Sequence, residues 1–370
     1  MNTLQSLSLI YMLVFSPPSL DWGFFAHRKI NHMAVFTLPE DMIDFYKKNL
    51  EYISEHAVDA DKRKFATKQE AVRHYIDIDH WGGFPFKEVP RNRTDAYMKY
   101  TSLYVVNGTD TLELLNAEQF EIDSLSINIS LADSTQIQIS KVAYRQFFKS
   151  KILNNFYESK IQDIELSLLD EKFKKPGFRY FSKDNFTAYG ILPFHLMRMK
   201  YSLTKAFKNL EYKKIKRLSA DIGHYIGDAH VPLHTTENYD GKMTQQDGIH
   251  AFWESRLPEL FAEKEYNFFV GKAIYIDDVQ KYFWEIILQS HRDLEKVLAI
   301  EKEIQQTFKK DQQFCWDLRL DATQFIQCEA YAKAYHEALN GMVERRMRGA
   351  IKALGNIWFT CWVDAGQPKL

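Results

Sequence analysis

The sequence predicts a mainly helical protein carrying one small β-rich insertion. Three observations support that expectation. Residues 40–56, 142–168, 191–209, 213–229, 277–299 and 325–354 place apolar side chains three and four positions apart with charged residues between them, the period of a helix with one buried face. Residues 101–141 break that period. Leu125, Ile127, Ile129 and Leu131 alternate with polar residues, Ile137 and Ile139 do so again after Ala132-Asp133-Ser134, and Asn107-Gly108 is a hairpin signal. No internal repeat or low-complexity linker divides the chain, so residues 22–370 are expected to form one domain with an insertion at about 101–141.

At the N-terminus, Leu7 to Phe15 is an apolar stretch too short to span a bilayer as a helix, followed by Ser16-Pro17-Pro18-Ser19-Leu20-Asp21. Residues 1–21 therefore read as an export signal, and the protein as periplasmic or extracellular, although a charged leading region is missing and Asp21 is a poor residue before a cleavage point. No other apolar run approaches the ~20 residues a membrane helix needs, so no transmembrane segment is expected in the mature chain. With 370 residues, 45% of them hydrophobic and 15% aromatic, the chain can bury a large core, and it is expected to be a monomer. A formal net charge of -1 shows no basic excess, which neither favours nor excludes a nucleic-acid substrate. Three cysteines are too few for a disulfide framework; one bridge is possible and none is assumed.

The richest segment runs Asp221-Ile-Gly-His224-Tyr-Ile-Gly-Asp228-Ala-His230-Val-Pro232-Leu-His234, with Gly248-Ile-His250-Ala-Phe-Trp-Glu254 placing His250 sixteen residues beyond His234. His224 and Asp228 stand four apart, as do His250 and Glu254, and such pairs share one helix face. Each pair can grip a metal ion. Pro232 should break the first helix and release His234 to serve a neighbouring ion, a pattern that points to more than one zinc. Upstream stand Trp22-Gly-Phe-Phe-Ala-His27, two aspartates at Asp59 and Asp61, and His74 in His-Tyr-Ile-Asp.

This ordered set, from Trp22 to Glu254, resembles the superfamily that joins bacterial zinc-dependent phospholipases C with fungal-type single-strand nucleases. The segment Arg345-Arg-Met-Arg-Gly-Ala-Ile-Lys-Ala-Leu-Gly-Asn-Ile-Trp358 is similar to the family's last helix. The resemblance implies a helical bundle holding three zinc ions. His74, His224, Asp228 and an upstream aspartate would hold one. Asp228 would bridge to a second, held also by His27 and the backbone amino nitrogen and carbonyl oxygen of Trp22. His234, His250 and Glu254 would hold the third. Nitrogen and oxygen donors of these kinds are independently good zinc ligands. The upstream aspartate is Asp61 by preference, with Asp59 the alternative, and either doubles as the acceptor of the water's proton. Arg63 is the nearest cation to stabilise phosphoryl oxygens, though its offset is not the nuclease one.

The implied activity is hydrolysis of a phosphodiester by zinc-activated hydroxide. The Glu254 segment and the step from His234 to His250 are nearer the phospholipase branch, so a phospholipid headgroup is the expected substrate and single-stranded nucleic acid the alternative. A non-catalytic module stapled by zinc is the third reading. Tyr75 and Asp77 are candidate substrate contacts, with core packing and support of His74 as their competing roles. His32, His56, His80, His195, His291 and His336 are read as packed or hydrogen-bonded side chains, and His230, six residues from His224, as structural or as support behind a ligand.

Overall fold

The computed structural model describes residues 23–121, 123–131, 135–153, 160–319 and 322–370. Its body is built on the helices Phe24–Val35, Leu192–Lys208, Tyr212–Ala229 and Met342–Asp364, the last packed against the other three. Along Tyr212–Ala229 the residues Ile215, Leu218, Ile222, Ile226 and Ala229 are buried at helical spacing, the stripe expected of a core-facing helix. The helix stops at Ala229. Val231, preceding a proline, is extended at φ -86° and ψ 119°, and Pro232 opens a short turn, Pro232–Thr235, that carries His234. Close approach at the centre depends on a missing side chain: a Cβ on Gly223 would lie 1.9 Å from Oδ1 of the buried Asn31, whose amide donates to the carbonyls of Ile53 and Ala220.

The buried apolar residues form two cores. The larger gathers Ile30, Ile222, Tyr225, Ile226, Leu354 and Trp358; the smaller gathers Ala26, Phe252, Trp253, Leu257, Tyr331 and Tyr335. The Phe24–Val35 helix feeds both, with Ala26 in one and Ile30 in the other. Val279–Thr307 spans them, with Phe283 and Ile287 in the larger core and Leu294 and Val297 in the smaller. Among the described residues, no helix is long and apolar enough to cross a membrane.

The expectation of a mainly helical protein with one small insertion is corrected by the sheets. Of the described residues 59% are helical and 14% are in strands, including a four-stranded antiparallel sheet, which makes the fold mixed. Strands β1 (Thr101–Asn107), β2 (Asp110–Leu115), β3 (Ser126–Ser130), β4 (Gln136–Ser140), β5 (Ile161–Ile164) and β6 (Phe178–Asp184) fall between residues 101 and 184, and the larger sheet has the order β2-β1-β6-β5. The alternating isoleucines form the β3–β4 hairpin, pairing Ile127 with Ile139 and Ile129 with Ile137, and Asn107 pairs with Asp110 across the turn at Gly108. Residues 142–168, by contrast, are not one helix. Helix Lys141–Phe147 and a wider helical turn, Phe148–Ile152, are followed by β5. In β6 the inward residues are Tyr180, Ser182 and Asp184, so most of its buried face is polar and the apolar period is lost.

A third hairpin pairs β7 (Phe314–Arg319) with β8 (Ala322–Gln327), where the apolar pattern reads as helix from residue 325. Cys315 and Cys328 form a disulfide at its base, correcting the assumption of none, and Cys361 is free and buried. The next helix starts only at Glu329.

Candidate metal centre

Eight side chains separated by up to 227 positions converge. His27 comes from the first helix and Asp61 from the short helix Asp59–Lys64. His74 follows the Lys68–Ala71 turn. His224 and Asp228 lie in the last turns of Tyr212–Ala229. His234 sits on the proline-initiated turn, while His250 and Glu254 flank the junction between Ile249–Ala251 and a wide helical turn, Phe252–Arg256. His27, His74, His224, Asp228, His234 and Glu254 are all buried, none above 8% exposure.

One set of donors closes around a single point. His74 Nδ1 lies 2.9 Å from Asp228 Oδ2 and 3.0 Å from His224 Nε2; His224 Nε2 lies 3.4 Å from Asp228 Oδ2 and 3.5 Å from Asp61 Oδ1; and His74 Nδ1 is 3.8 Å from that same Asp61 oxygen. Zinc holds such donors at ~2.0–2.1 Å, and tetrahedral corners at that radius are ~3.3 Å apart. The observed edges bracket that spacing. His224 is also oriented to bind metal, since its Nδ1 donates to the Ala57 carbonyl at 2.8 Å and leaves the Nε2 lone pair toward the cluster.

The two carboxylates Asp228 and Glu254 link this set to the rest. Asp228 turns Oδ2 to His74 and His224 and Oδ1 to His27 at 3.4 Å and His234 at 3.6 Å. Glu254 turns Oε1 to His27 at 3.1 Å and Oε2 to His250 at 2.7 Å and His234 at 3.4 Å. Glu254 thus reaches the His27 group as well as the His234–His250 group in which the sequence placed it. Groups of three such donors with mutual spacings suited to one ion number four among the described residues, and these buried groups can hold metal.

Electrostatics argue for the same fit. Three carboxylates, Asp61, Asp228 and Glu254, face one another with one ammonium, Lys64, in their midst. Burial pushes the Asp228 carboxyl well above its ordinary range, with Glu254 and Asp61 adding to the rise. Burial also drives His74 well below the usual imidazole range and His234 down to about 4, which keeps both rings neutral, the form that binds metal. Neutral imidazoles beside clustered carboxylates are a donor set that could hold a metal ion.

Neighbouring backbone shapes the cluster. A Cβ on Gly227 would stand 2.7 Å from His27 Nδ1, so glycine lets the helix approach that ring. The N–H of Gly23 donates to Ser255 Oγ at 2.5 Å, fastening the start of the described chain beside Glu254. Trp22 lies outside the described residues.

The remaining candidates sort clearly. Asp61, not Asp59, joins the centre; Asp59 instead accepts from His56 at 2.5 Å and from Lys62 at 3.2 Å. Arg63 is turned to other partners. Its guanidinium faces Asp221 at 3.0 Å, Glu70 at 3.3 Å and Tyr225 Oη at 3.3 Å, behind the cluster. The cation at the site is Lys64, whose Nζ is 2.6 Å from Asp61 Oδ1. The i,i+3 spacing from Asp61 is the signal that could have found it, because positions three apart share a helix face and positions two apart do not. His230 donates its Nδ1 hydrogen to the Ile226 carbonyl at 2.8 Å and belongs to none of the metal-capable groups found among the described residues.

A cleft of about 640 Å³ opens over His74, His234 and His250, and Lys64, Tyr75, Asp77, Glu237, Tyr239 and Asp240 line it. Tyr75 donates its hydroxyl to the Ala188 carbonyl, which leaves the ring as a wall. Burial, with Asp79 and Glu237 close by, pushes the Asp77 carboxyl up to about 7. Neither the models of known protein families nor the curated proteins contain a match to this chain.

Proposed function

We propose that the protein is an exported zinc-dependent phosphodiesterase of the phospholipase C and single-strand nuclease type, acting on a phosphoester with a cationic headgroup. The observation that carries the reading is the bridging geometry of Asp228, one carboxylate shared between His74–His224 and His27–His234. As the resemblance implies, three zincs would be held, one by Asp61, His74, His224 and Asp228, one by His27, Asp228 and the amino terminus of a chain beginning at Trp22, and one by His234, His250 and Glu254. Zinc bound there would supply Lewis acidity toward phosphoryl oxygens and water.

The chain's own residues would do the rest. Asp61, beside His224 and Lys64, would take the proton from the attacking water. Lys64 faces the cleft with its ammonium and neutralises charge gathering on the non-bridging oxygens. Tyr75 and Tyr239 provide aromatic walls, and Asp77, Glu237 and Asp240 line the cleft with carboxylates. That lining suits a quaternary or primary ammonium group and repels the successive phosphates of a nucleic acid. An open cleft over the donors also separates this centre from a closed structural zinc site. The Cys315–Cys328 disulfide supports export to an oxidising compartment.

Metal counting by elemental analysis, paired with parallel assays of phosphatidylcholine and single-stranded DNA on one zinc-loaded preparation, tests the proposal. Close to three zincs with diacylglycerol release is the expected result. One metal or none in an active protein would overturn the centre, and nucleotide release without diacylglycerol would reverse the substrate. Mass spectrometry of the active form should find Trp22 at the amino terminus; a form retaining residues 1–21 should hold about one zinc fewer, because an amide nitrogen has no free lone pair.

A further inference from the structure

The β7–β8 hairpin has its polarity inverted. Residues alternate in facing along a strand, and the side turned toward the body is the charged one. Asp317 receives Arg256 Nη2 at 2.6 Å, and Arg319 grips both oxygens of Glu259, with Nε at 2.7 Å. The opposite side carries Trp316, Leu318 and Phe325, exposed by 72%, 70% and 58%. Trp316 and Phe325 are cross-strand partners with ring centroids 5.4 Å apart, and Leu318 stands two positions along the same face. A hairpin resting on a protein would ordinarily bury that face and hydrate the other.

The hairpin is fastened in this orientation. The disulfide closes its base, and Arg256, itself buried, holds it twice, through Asp317 and through the Gln327 carbonyl at 3.2 Å. Arg256 stands two residues beyond Glu254 in the same helical turn. The apolar patch is therefore tethered to the element that supplies a candidate ligand of the metal centre.

We propose that this hairpin is an interfacial anchor, inserting Trp316, Leu318 and Phe325 among zwitterionic phospholipids. Tryptophan and phenylalanine favour the boundary between headgroups and acyl chains, and a narrow two-stranded element can enter there without exposing a wide polar surface. Charge selects the kind of surface. Lys309 and Lys310 at the base are exposed and balanced by exposed Asp311 and Glu329, which matches headgroups bearing both signs and not a polyanion. The choice of lipid as occupant rests on the phospholipid reading above.

The test uses the full mature chain loaded with zinc and its Trp316→Ser/Leu318→Ser/Phe325→Ser variant. Cosedimentation with phosphatidylcholine vesicles is measured beside hydrolysis of bis(4-nitrophenyl) phosphate, a soluble diester that needs no interface. Vesicle partitioning of the variant should fall by about tenfold or more, with zinc content and soluble-ester turnover unchanged. Equal partitioning of the two proteins would overturn the anchor, as would failure of the parent to bind vesicles. A self-association abolished by the variant, with no vesicle binding, would assign the patch to a second copy instead. Vesicle binding lost by the variant where neither protein cleaves the diester would uphold the anchor and defeat the phosphodiesterase reading. If the triple variant does not fold, Leu318→Asp alone carries the same expectation.

Discussion

Replacing Asp228 by Asn separates the two roles of this buried carboxylate, because amide and carboxylate have nearly the same shape and differ in charge. In the zinc-loaded protein, the substituted amide offers one neutral oxygen where Asp228 offers Oδ2 to the His74–His224 side and Oδ1 to the His27–His234 side. Structural zinc binds with ~10–16 kcal/mol, so one of four ligands is worth ~3 kcal/mol, about two orders of magnitude in affinity. Both neighbouring ions should feel that loss. In chelator the sign reverses: burial, Glu254 and Asp61 already oppose ionisation of Asp228, so removing its charge should leave the metal-free fold as stable or more stable. The assay is elemental analysis with thermal melts in chelator and in excess zinc. Asp228→Asn should bind one or two zincs fewer, gain far less melting temperature from zinc than the parent, and melt no lower than the parent in chelator. Full zinc content with undiminished phosphodiester turnover would refute the bridging role.

Lys64→Ala should lower turnover by about a hundredfold or more with zinc content retained, as for loss of a transition-state cation, whereas Arg63→Ala should lower the melting temperature by a few degrees and leave turnover nearly intact; the reverse ranking would return Arg63 to the site. For pH, burial holds His230 down to about 3 and His234 down to about 4, so the metal-free fold binds fewer protons there than the unfolded chain. Their contribution is present above about 6.5 and is lost as pH falls toward those folded values, while the raised carboxyls of Asp77 and Asp228 work in the opposite sense; the imidazole resonances of His230 and His234 in chelator should therefore stay in the neutral form down to about pH 5, and titration of either near 6.5 would contradict the buried neutral rings. Reduction of Cys315–Cys328, whose sequence separation is 13, should cost up to ~3 kcal/mol and open the hairpin to proteolysis, read by melts and digestion with and without reductant; identical behaviour in both would show that Arg256 and Arg319 alone secure it.

Much of the centre could be read from the sequence because its candidate ligands obey local rules. His224 and Asp228 share a helix face at a spacing of four, and Pro232 ends that helix where His234 must diverge, so both facts follow from backbone geometry over a few residues. The β3–β4 hairpin was equally legible, since alternating isoleucines encode a strand with one buried face. Elsewhere the pattern misled. Residues 142–168 and the run from 325 carry apolar residues at spacings that fit a helix, yet parts of both became strands, because cross-strand pairing in β5–β6 and β7–β8 is a contact between segments that no local period records.

Sequence alone thus determined which residue types could bind metal and in what order they occur. The tertiary structure decided which of them meet. It brought Asp61 rather than Asp59 beside His224, and Lys64 rather than Arg63 beside Asp61, by the direction in which a short helix presents its side chains. It also joined Glu254 to His27 across 227 positions. Such choices depend on how helices pack at their seam, where a missing side chain at Gly223 or Gly227 sets the approach of whole elements, and that distance exists only once the chain is folded.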